Sequence, residues 1–274
     1  MYKKIEDYRK KIDMVDKEIV ELLHRRIALV KKIAKLKDMD TYTVYDPVRE
    51  AVILKRLKKI KGDFPREGIE NIYNEIFSIS RSLQKKIKVA YFGPVATYTH
   101  LAAIKRFGRY ADFISFDSIK EVFLSVEKKD VDYGCVPIEN STEGAVNYTY
   151  DMFVDFDLKI YSEVLLRIKH NLLSRHNSLK KIKKVYAPQQ AFAQCRNWIE
   201  KNLSGVKLIE TPSTSKAAKI ALKEKNAGSI GSELAANYYR LNIVASGIED
   251  TIAVSYTHLR AHETSLHLVC RLLL

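Results

Sequence analysis

Charged side chains at helical spacing near the N-terminus are the first residues of this sequence that could do chemistry. Arg26 and Lys37 are eleven residues apart, so on one helix they lie on nearly the same face, about 16 Å apart along the axis. Two cations at that spacing can hold a small anion between them. Arg9 precedes Arg26 by seventeen residues and lies about 100° around the helix from it. It would therefore serve a different pocket, as in a dimer that exchanges arginines.

Two further polar groups follow the same helical rule. Asp46, Arg49 and Glu50 stand at positions i, i+3 and i+4, and Ser80 and Gln84 at i and i+4, so each group shares one helix face. Taken singly, each group is also typical of an exposed salt bridge or a helix cap.

Helices must position these residues, and the apolar spacing predicts three of them. From residue 5 to about 37, apolar residues recur at steps of three, four or seven without Gly or Pro, which predicts one long amphipathic helix. Asp46-Pro47 is a typical N-cap and first-turn pair for a second helix that should end near Gly62. A third helix is predicted over 68–86. Two short helices cannot cover so long an apolar stripe, so we expect a partner chain.

The pattern changes at residue 88, where short apolar runs begin to alternate with helical stretches. The alternation predicts an α/β domain with a mostly parallel sheet in two lobes. The runs are KVAYFG, DYGCVPIE, LKIYSEVLL, KKVYAP, VKLIET and GSIGS, and the helical stretches are 99–107, 119–128, 190–201, 214–225 and 233–239. We therefore expect a helical domain over 1–87 and an α/β domain over 88–253.

Composition restricts the class of protein. A chain of 274 residues with 46% hydrophobic residues is long enough for two domains with real cores. The net charge of +14 favours anionic ligands, but no nucleic-acid-binding motif appears, so we expect no nucleic acid partner. The N-terminal segment is charged throughout and no run of about 18 apolar residues occurs, which predicts a cytoplasmic protein without membrane contact. The three cysteines are scattered and are expected to be reduced thiols, with no zinc site.

Taken together, the polar positions of the first 87 residues resemble those of the all-helical chorismate mutase family. The resemblance rests on eight residues in the family's order: Arg9, Arg26, Lys37, Asp46, Arg49, Glu50, Ser80 and Gln84. It implies an intertwined homodimer in which each chain lends Arg9 to the partner's site. It also implies the Claisen rearrangement of chorismate to prephenate, which needs neither a cofactor nor a nucleophile.

The resemblance also implies roles for these residues. Arg9 of the partner chain and Arg26 would pair with the two carboxylates of the substrate. Lys37 and Gln84 would donate to the ether oxygen, where negative charge develops, and Glu50 would receive the ring hydroxyl. The remaining three would bind or orient the substrate: Asp46, Arg49 and Ser80.

The second half resembles prephenate dehydratase. The resemblance begins with VAYFGPVATYTHLAA (89–103) and VPIENSTEGAVNYTYDMF (136–153) and continues through KHNLLS, YAPQQAFAQC, PSTSKAA, GSIGSELAA and ASGIED. It implies a two-lobed α/β domain like those of periplasmic binding proteins. The chain would then be a bifunctional enzyme of phenylalanine biosynthesis. The sequence departs from the family where Ala96-Thr97 replaces a usual Gly-Ser and Gln189 a usual Pro.

Candidate contacts for prephenate lie at turns that precede helices in this half. Backbone N–H groups and hydroxyls at such turns can receive a carboxylate, although ordinary helix capping uses the same residues. The candidates are Thr99, Asn140, Ser141, Thr142 and Gln190. The family reaction expels CO2 and the ring hydroxyl, so a proton donor is needed at that hydroxyl; no metal is expected.

The sequence departs from the family after ASGIED. The family continues to a Thr-Arg-Phe strand, whose Thr is thought to act at the departing hydroxyl, and then to a phenylalanine-binding regulatory domain. This chain instead reads TIAVSYTHLRAHETSLHLVCRLLL. From residue 254 it resembles translated read-through of a sequencing-library adapter, so 254–274 is expected to be a non-native tail. The alternatives are an amphipathic C-terminal helix, or a metal site of His258, His262, Glu263 and His267.

Two other functions compete with the enzyme. Two α/β lobes around a cleft also describe a binding module for small anions, in which case the helical segment would only dimerise. The basic helices could alternatively bind nucleic acid, with a steep salt dependence. The grouping of Arg26, Lys37, Glu50 and Gln84 favours the enzyme, because a simple coiled dimer does not require these residues around one pocket.

The departure predicts a defect in the second reaction. Without the family's strand we expect an exposed sheet edge, so residues 88–253 should fold poorly or show little dehydratase activity, and phenylalanine feedback should be lost. Incubation with chorismate should then accumulate prephenate, which acid and alkali treatment of the products distinguishes from phenylpyruvate. Direct formation of phenylpyruvate would contradict this expectation.

Overall fold

The computed structural model describes residues 2–36, 44–140, 144–250 and 269–273. It divides into two compact units. The first comprises Met1–Ile87 with Gly108–Ala111, and the second comprises Lys88–Phe107 with Asp112–Leu274.

The first unit contains three helices, as the apolar spacing predicts. They are α1 (Tyr2–Leu36), α2 (Pro47–Leu57) and α3 (Arg66–Ser82). Helix α2 ends before the predicted Gly62, because the amides of Lys59 and Ile60 bond three residues back, to the carbonyls of Arg56 and Leu57 at 3.2 and 3.0 Å. Bonds of this type tighten and end a helix.

Helix α1 carries an apolar stripe that its own chain does not cover. None of its 35 residues, all of them described, is buried. The stripe includes exposed Ile5, Tyr8, Ile12, Val15, Ile19, Leu22, Leu29 and Ile33. An apolar surface this long on one helix is a feature of helices that pack against a second chain.

The second unit alternates strands and helices. Its N-terminal elements are β1 (Lys88–Phe92), α4 (Tyr98–Phe107), β2 (Asp112–Phe116), α5 (Ile119–Glu127), β3 (Tyr133–Cys135), β4 (Glu139–Asn140), β5 (Gly144–Ala145), α6 (Asn147–Asp155) and β6 (Ser162–Leu165). Then follow β7 (Asn171–Ser174), β8 (Lys184–Ala187), α7 (Gln189–Gln194), α8 (Arg196–Asn202), β9 (Lys207–Glu210), α9 (Thr214–Lys223), β10 (Ala227–Gly231), α10 (Glu233–Tyr239), β11 (Asn242–Ser246) and β12 (Val269–Leu273).

These strands form two sheets, which confirms the two-lobed α/β architecture. The first sheet has the order β2-β1-β3-β12-β4-β5, with β6 also paired to β12. Strand β1 runs parallel to β2 and β3. Helix α5 covers this sheet through Val122 and Phe123, which pack with Ala90 and Met152 in one buried cluster.

The second sheet departs from the predicted parallel pattern at one edge. Its order is β11-β7-β10-β8-β9. Strand β8 is parallel to both β10 and β9, whereas β7 is antiparallel to β10 and β11. Apolar side chains of three adjacent strands, Leu172, Val185 and Ile230, are fully buried and form the centre of the second core.

Strand β12 overturns the expectation of an open sheet edge. It pairs in parallel with β3 and with β6, with Cys270 opposite Cys135 on one side and Ser162 on the other. The run VCRLL is long enough and apolar enough to supply the ladder that the departure from the family was expected to leave unfilled. The proposed metal residues, His258, His262, Glu263 and His267, lie outside the described residues, as does all of 251–268.

One predicted helix, over 190–201, is two short helices. Cys195 leaves the helical region with φ −118° and ψ 17° and so separates α7 from α8. The new helix start is capped from a distance, since the carboxylate of Asp250 accepts the amides of Asn197 and Trp198 at 2.8 and 3.0 Å. A capping contact between residues more than 50 positions apart has no local sequence signal.

Replacing Asp250 with Ala should therefore destabilise the second unit. Loss of a helix-capping carboxylate costs about 0.5–2 kcal/mol, and Asp250→Asn, which keeps one acceptor, should cost less. The free energy of unfolding in urea measures the effect. The matched control is Asp155→Ala at the exposed C-terminal end of α6; equal losses in both variants would contradict a capping role.

Candidate active site

A cavity of about 320 Å³ lies among the three helices of the first unit. All three helices and the segment before α2 contribute to its wall. The lining residues are Arg26, Val30, Ile33, Val44, Asp46, Arg49, Glu50, Ile53, Phe77, Ser80, Arg81 and Gln84.

Helix α1 contributes a cation to this wall. The guanidinium of Arg26 lies over the ring of Phe77, 5.6 Å from its centroid, and donates to the hydroxyl of Ser80 at 2.5 Å. Partial burial lowers the pKa of Arg26, and the nearby Tyr73 and Glu50 oppose that shift. These contacts orient a charged group toward the cavity without neutralising it.

The start of α2 contributes two carboxylates. Asp46 is the N-cap predicted from the sequence, with one carboxylate oxygen accepting the amide of Arg49 at 2.8 Å and Pro47 in the first turn. Glu50 stands in the same first turn. Negative side chains are favoured at this end of a helix because its unpaired N–H groups carry partial positive charge.

Helix α3 presents one polar face to the cavity. Phe77, Ser80 and Arg81 follow the spacing i, i+3 and i+4, which places them on one side of the helix. Gln84 lies in the turn just after its end at Ser82. The Ser80 hydroxyl donates to the carbonyl of Ile76 at 2.6 Å, so its lone pairs are directed to Arg26. The Gln84 side-chain amide donates to the Ser80 carbonyl at 3.2 Å.

Arg81 is a cavity residue that sequence reasoning missed. Only 5% of the residue is exposed, and its guanidinium forms an ion pair with Glu50. It also lies 4.9 Å from the ring centroid of Tyr45. The sequence did contain a signal for it. Arg81 stands four residues after Phe77 and next to Ser80, so helix periodicity places it on the face of α3 that carries Ser80.

The structure brings together six of the eight predicted residues of the helical unit. Those on the cavity are Arg26, Asp46, Arg49, Glu50, Ser80 and Gln84. Arg9 lies on the exposed surface of α1, 3.7 Å from the carboxylate of Glu6, away from this cavity. Lys37 lies outside the described residues.

The charges of this wall favour a small organic anion. Three arginines and two carboxylates line the cavity, and the arginines and Gln84 supply N–H donors that a carboxylate or a partly negative oxygen can accept. The described lining contains neither histidine nor cysteine. The arrangement therefore suits binding and charge stabilisation more than covalent catalysis.

The second unit contains a buried polar cluster around His170. The His170 ring lies 2.6 Å from the side-chain oxygen of Gln194 and 3.0 Å from the hydroxyl of Tyr98. Its backbone amide donates to Glu249 at 2.9 Å. Burial lowers the pKa of His170, while Gln194 and Glu249 oppose the shift. Because the Gln194 oxygen only accepts, the neutral imidazole carries its proton on Nε2.

Next to this cluster lies a small cavity of about 50 Å³, lined by Tyr98, Ile168, His170, Pro188, Gln190, Ala191, Gln194 and Thr214. Among the described residues, the buried side-chain nitrogen of Gln190 has no hydrogen-bond partner.

Of the other predicted dehydratase residues, Thr99 is buried on α4, and its carbonyl accepts from the Cys135 thiol at 3.6 Å. The backbone of Asn140 is in β4, but its side chain, and all of Ser141 and Thr142, lie outside the described residues.

Comparison with known proteins matches both units. A family model described as chorismate mutase type II matches residues 8–85, and one described as prephenate dehydratase matches 89–255. A bifunctional chorismate mutase/prephenate dehydratase from Aquifex aeolicus is 45% identical over 252 residues, covering 90% of this chain and 70% of that protein. This chain belongs to the bifunctional chorismate mutase/prephenate dehydratase family. Its helical unit is the chorismate mutase domain and its α/β unit is the prephenate dehydratase domain.

Further relatives agree with this membership. The bifunctional chorismate mutase/prephenate dehydratase of Pseudomonas aeruginosa is 36% identical over 249 residues, covering 88% of this chain and 68% of that protein. A crystal structure of a prephenate dehydratase from Arthrobacter aurescens in complex with L-Phe has a TM-score of 0.58 at 27% identity, covering 65% of this chain and 63% of that one. In the part of the chain described here, no helix has the length and apolar character to cross a membrane.

The dehydratase domain should lose stability in mild acid because of its buried histidines. Burial lowers the pKa of His100 and His170, so the unfolded chain binds protons below about pH 6.5 that the folded chain does not. Stability should therefore fall as the pH drops from 7.5 to 5.5, by at most about 1.4 kcal/mol per pH unit for each histidine.

Urea unfolding at several pH values measures this slope. His170→Asn should flatten it, whereas the control His176→Asn, at a partly exposed position, should leave it unchanged. An unaltered slope in His170→Asn would mean that another group carries the acid sensitivity.

Proposed function

We propose that this chain acts in both reactions of its family in the cytoplasm, without a metal or cofactor, and that its dehydratase reaction is impaired because no Thr-Arg-Phe segment follows ASGIED. The cavity of the helical domain would convert chorismate to prephenate, and the α/β domain would convert prephenate to phenylpyruvate. The observation that carries the first assignment is the convergence of Arg26 on α1, Glu50 on α2 and Ser80 on α3, with Gln84 just after α3, on one cavity.

The rearrangement of chorismate is intramolecular, so the site contributes orientation and charge stabilisation. Arg26 would pair with one substrate carboxylate and Arg9 of a second copy with the other, which holds the substrate in its reactive conformation. The neutral hydroxyl of Ser80 accepts from Arg26 and orients it, which leaves the positive charge available to the substrate. Arg49 and Ser80 would complete the contacts to the carboxylates.

Donors at the ether oxygen would supply the largest electrostatic effect. Gln84 and Lys37 would donate there as the C–O bond breaks and the oxygen gains negative charge. Loss of one donor in such a position typically lowers kcat by about 10²–10³-fold. Glu50, with Asp46 nearby, would accept the ring hydroxyl and so fix the orientation of the ring.

In the dehydratase domain, Gln190 is the candidate with the clearest structural support. Its buried side-chain nitrogen faces a small polar cavity, and no partner for it is found in the described part of the chain. A donor in that state favours binding of an acceptor such as a carboxylate or hydroxyl. We propose the same substrate for Thr99, Asn140, Ser141 and Thr142, on the resemblance of the VPIENST and ATYTH segments.

A second copy of this chain would cover the apolar stripe of α1. The stripe is exposed along the whole helix, and Arg9 lies about 25 Å along the axis from Arg26. Arg9 therefore cannot join the cavity of its own chain through the same straight helix. An antiparallel second α1 would bury the stripe and bring Arg9 of one chain toward the cavity of the other.

Mixing two inactive variants tests this shared site. Arg9→Ala and Arg26→Ala should each lower kcat/KM for chorismate, measured by absorbance loss, by about 100-fold or more. A mixed dimer would contain one intact site, from Arg26 of one chain and Arg9 of the other. Because half the dimers are mixed after unfolding and refolding together, activity should return to about a quarter of wild type.

The control mixes Arg26→Ala with Gln84→Ala, which change the same cavity of the same chain. Every site in that mixed dimer keeps one defect, so no activity should return. If the Arg9 and Arg26 variants also fail to complement, Arg9 does not act across the dimer. If the wild-type chain leaves chorismate untouched, the mutase assignment itself is wrong.

A further inference from the structure

We infer that Arg81 is a positioning residue of the mutase site, because its buried guanidinium holds the Glu50 carboxylate ionised and aimed into the cavity. The inference rests on the proposed mutase function and adds a residue to it. Arg81 is absent from the eight positions that carry the resemblance to chorismate mutases.

The contacts of Arg81 restrict its guanidinium on two sides. On one side it pairs with Glu50, and the side chains are 6% and 22% exposed. On the other side lies the ring of Tyr45, which is 2% exposed. A planar guanidinium held between a ring and a carboxylate has few alternative positions. The position of the carboxylate on α2 is thereby fixed from α3.

Glu50 needs such a partner for its proposed role. Its ionised form accepts a hydrogen bond from a substrate hydroxyl more strongly than its protonated form does. It also stands four residues from a second carboxylate, Asp46. A nearby like charge and partial burial disfavour ionisation, whereas a cation in direct contact favours it. A carboxylate has about four lone-pair sites, so pairing with Arg81 is compatible with a further hydrogen bond.

The other two arginines of the cavity do not pair with Glu50 in this way. Arg26 is bonded to Ser80 and stacked on Phe77, and Arg49 is exposed. Within the described residues, the charged and titratable groups around Glu50 are Arg26, Asp46, Arg49 and Arg81, with Tyr73 near Arg26 and Tyr45 against Arg81. Arg81 combines deep burial with direct contact to the carboxylate, which makes it the cation best placed to hold Glu50.

The experiment compares Arg81→Met and Arg81→Lys in two backgrounds, wild type and Glu50→Gln, in the full chain. The readout is kcat/KM for chorismate across pH 5–9. Arg109→Met is the matched control, since it removes an arginine that pairs with Glu75 of α3 on the exposed surface. Circular dichroism and thermal unfolding report whether each variant folds.

We expect Arg81→Met to lower kcat/KM by about 10- to 100-fold and to move the acid limb of the pH profile toward higher pH. Arg81→Lys keeps the charge but loses the planar fork, so it should lose less activity and keep the limb near its wild-type position. In Glu50→Gln, either change should cost less than about threefold, because the partner is already gone. Arg109→Met should match wild type.

A purely structural role gives a different pattern. Equal losses in both backgrounds, with the acid limb in place, would overturn the inference. If Arg81→Met does not fold, Arg81→Lys is the deciding variant. A kcat/KM equal to wild type, or a loss of kcat/KM that is the same in the Glu50→Gln background, would overturn the inference. A loss of kcat/KM confined to the wild-type background would support it. An inactive wild-type chain would instead overturn the proposed mutase function, and this inference with it.

Discussion

The ion pair between Arg81 and Glu50 constrains the rest of the helical domain, because it joins α3 to α2 through a buried guanidinium and a partly buried carboxylate. A buried pair of this kind is costly to break, since removal of either partner strands the other charge. The contact therefore fixes how α2 lies against α3. The remaining cavity residues then follow from helix periodicity, with Asp46 one turn before Glu50, and Ser80 on the same face as Arg81.

Polar contacts between distant segments have a similar part in the dehydratase domain. His170, just before β7, contacts Tyr98 on α4, Gln194 on α7 and Glu249 after β11. The next residue, Asp250, caps α8. The short segment GIED thus contacts the residue before β7, the end of α7 and the start of α8, which gives a physical reason for its presence among the motifs that resemble prephenate dehydratase.

Most helices and many strands could be predicted because their signals are local. The long α1 follows from a repeating apolar spacing, and the start of α2 from Asp46-Pro47. Strands β2 and β11 were not predicted, because DFISF and NIVAS are short and are half-exposed at the edges of their sheets. Strand β7 was also not predicted, since NLLS is short and carries polar residues at both ends although it is buried inside its sheet. The break at Cys195 was missed because its cause, capping by Asp250, lies far along the chain. Strand β12 was missed because the unusual tail sequence was read as unable to supply a strand.

By itself, the sequence determined the three helices of the mutase domain, the change to an α/β domain at residue 88, and the helix faces that carry Arg26, Glu50, Ser80 and Gln84. Periodicity and capping act over a few residues, so these features can be read from spacing alone. Only the tertiary structure decided that three helices meet at one cavity, that Arg81 pairs with Glu50, and that His170 is enclosed by Tyr98, Gln194 and Glu249. Arg81 and Glu50 are 31 positions apart in the sequence, and His170 and Glu249 are 79 positions apart. Such partners are selected by packing and burial, which no local pattern records.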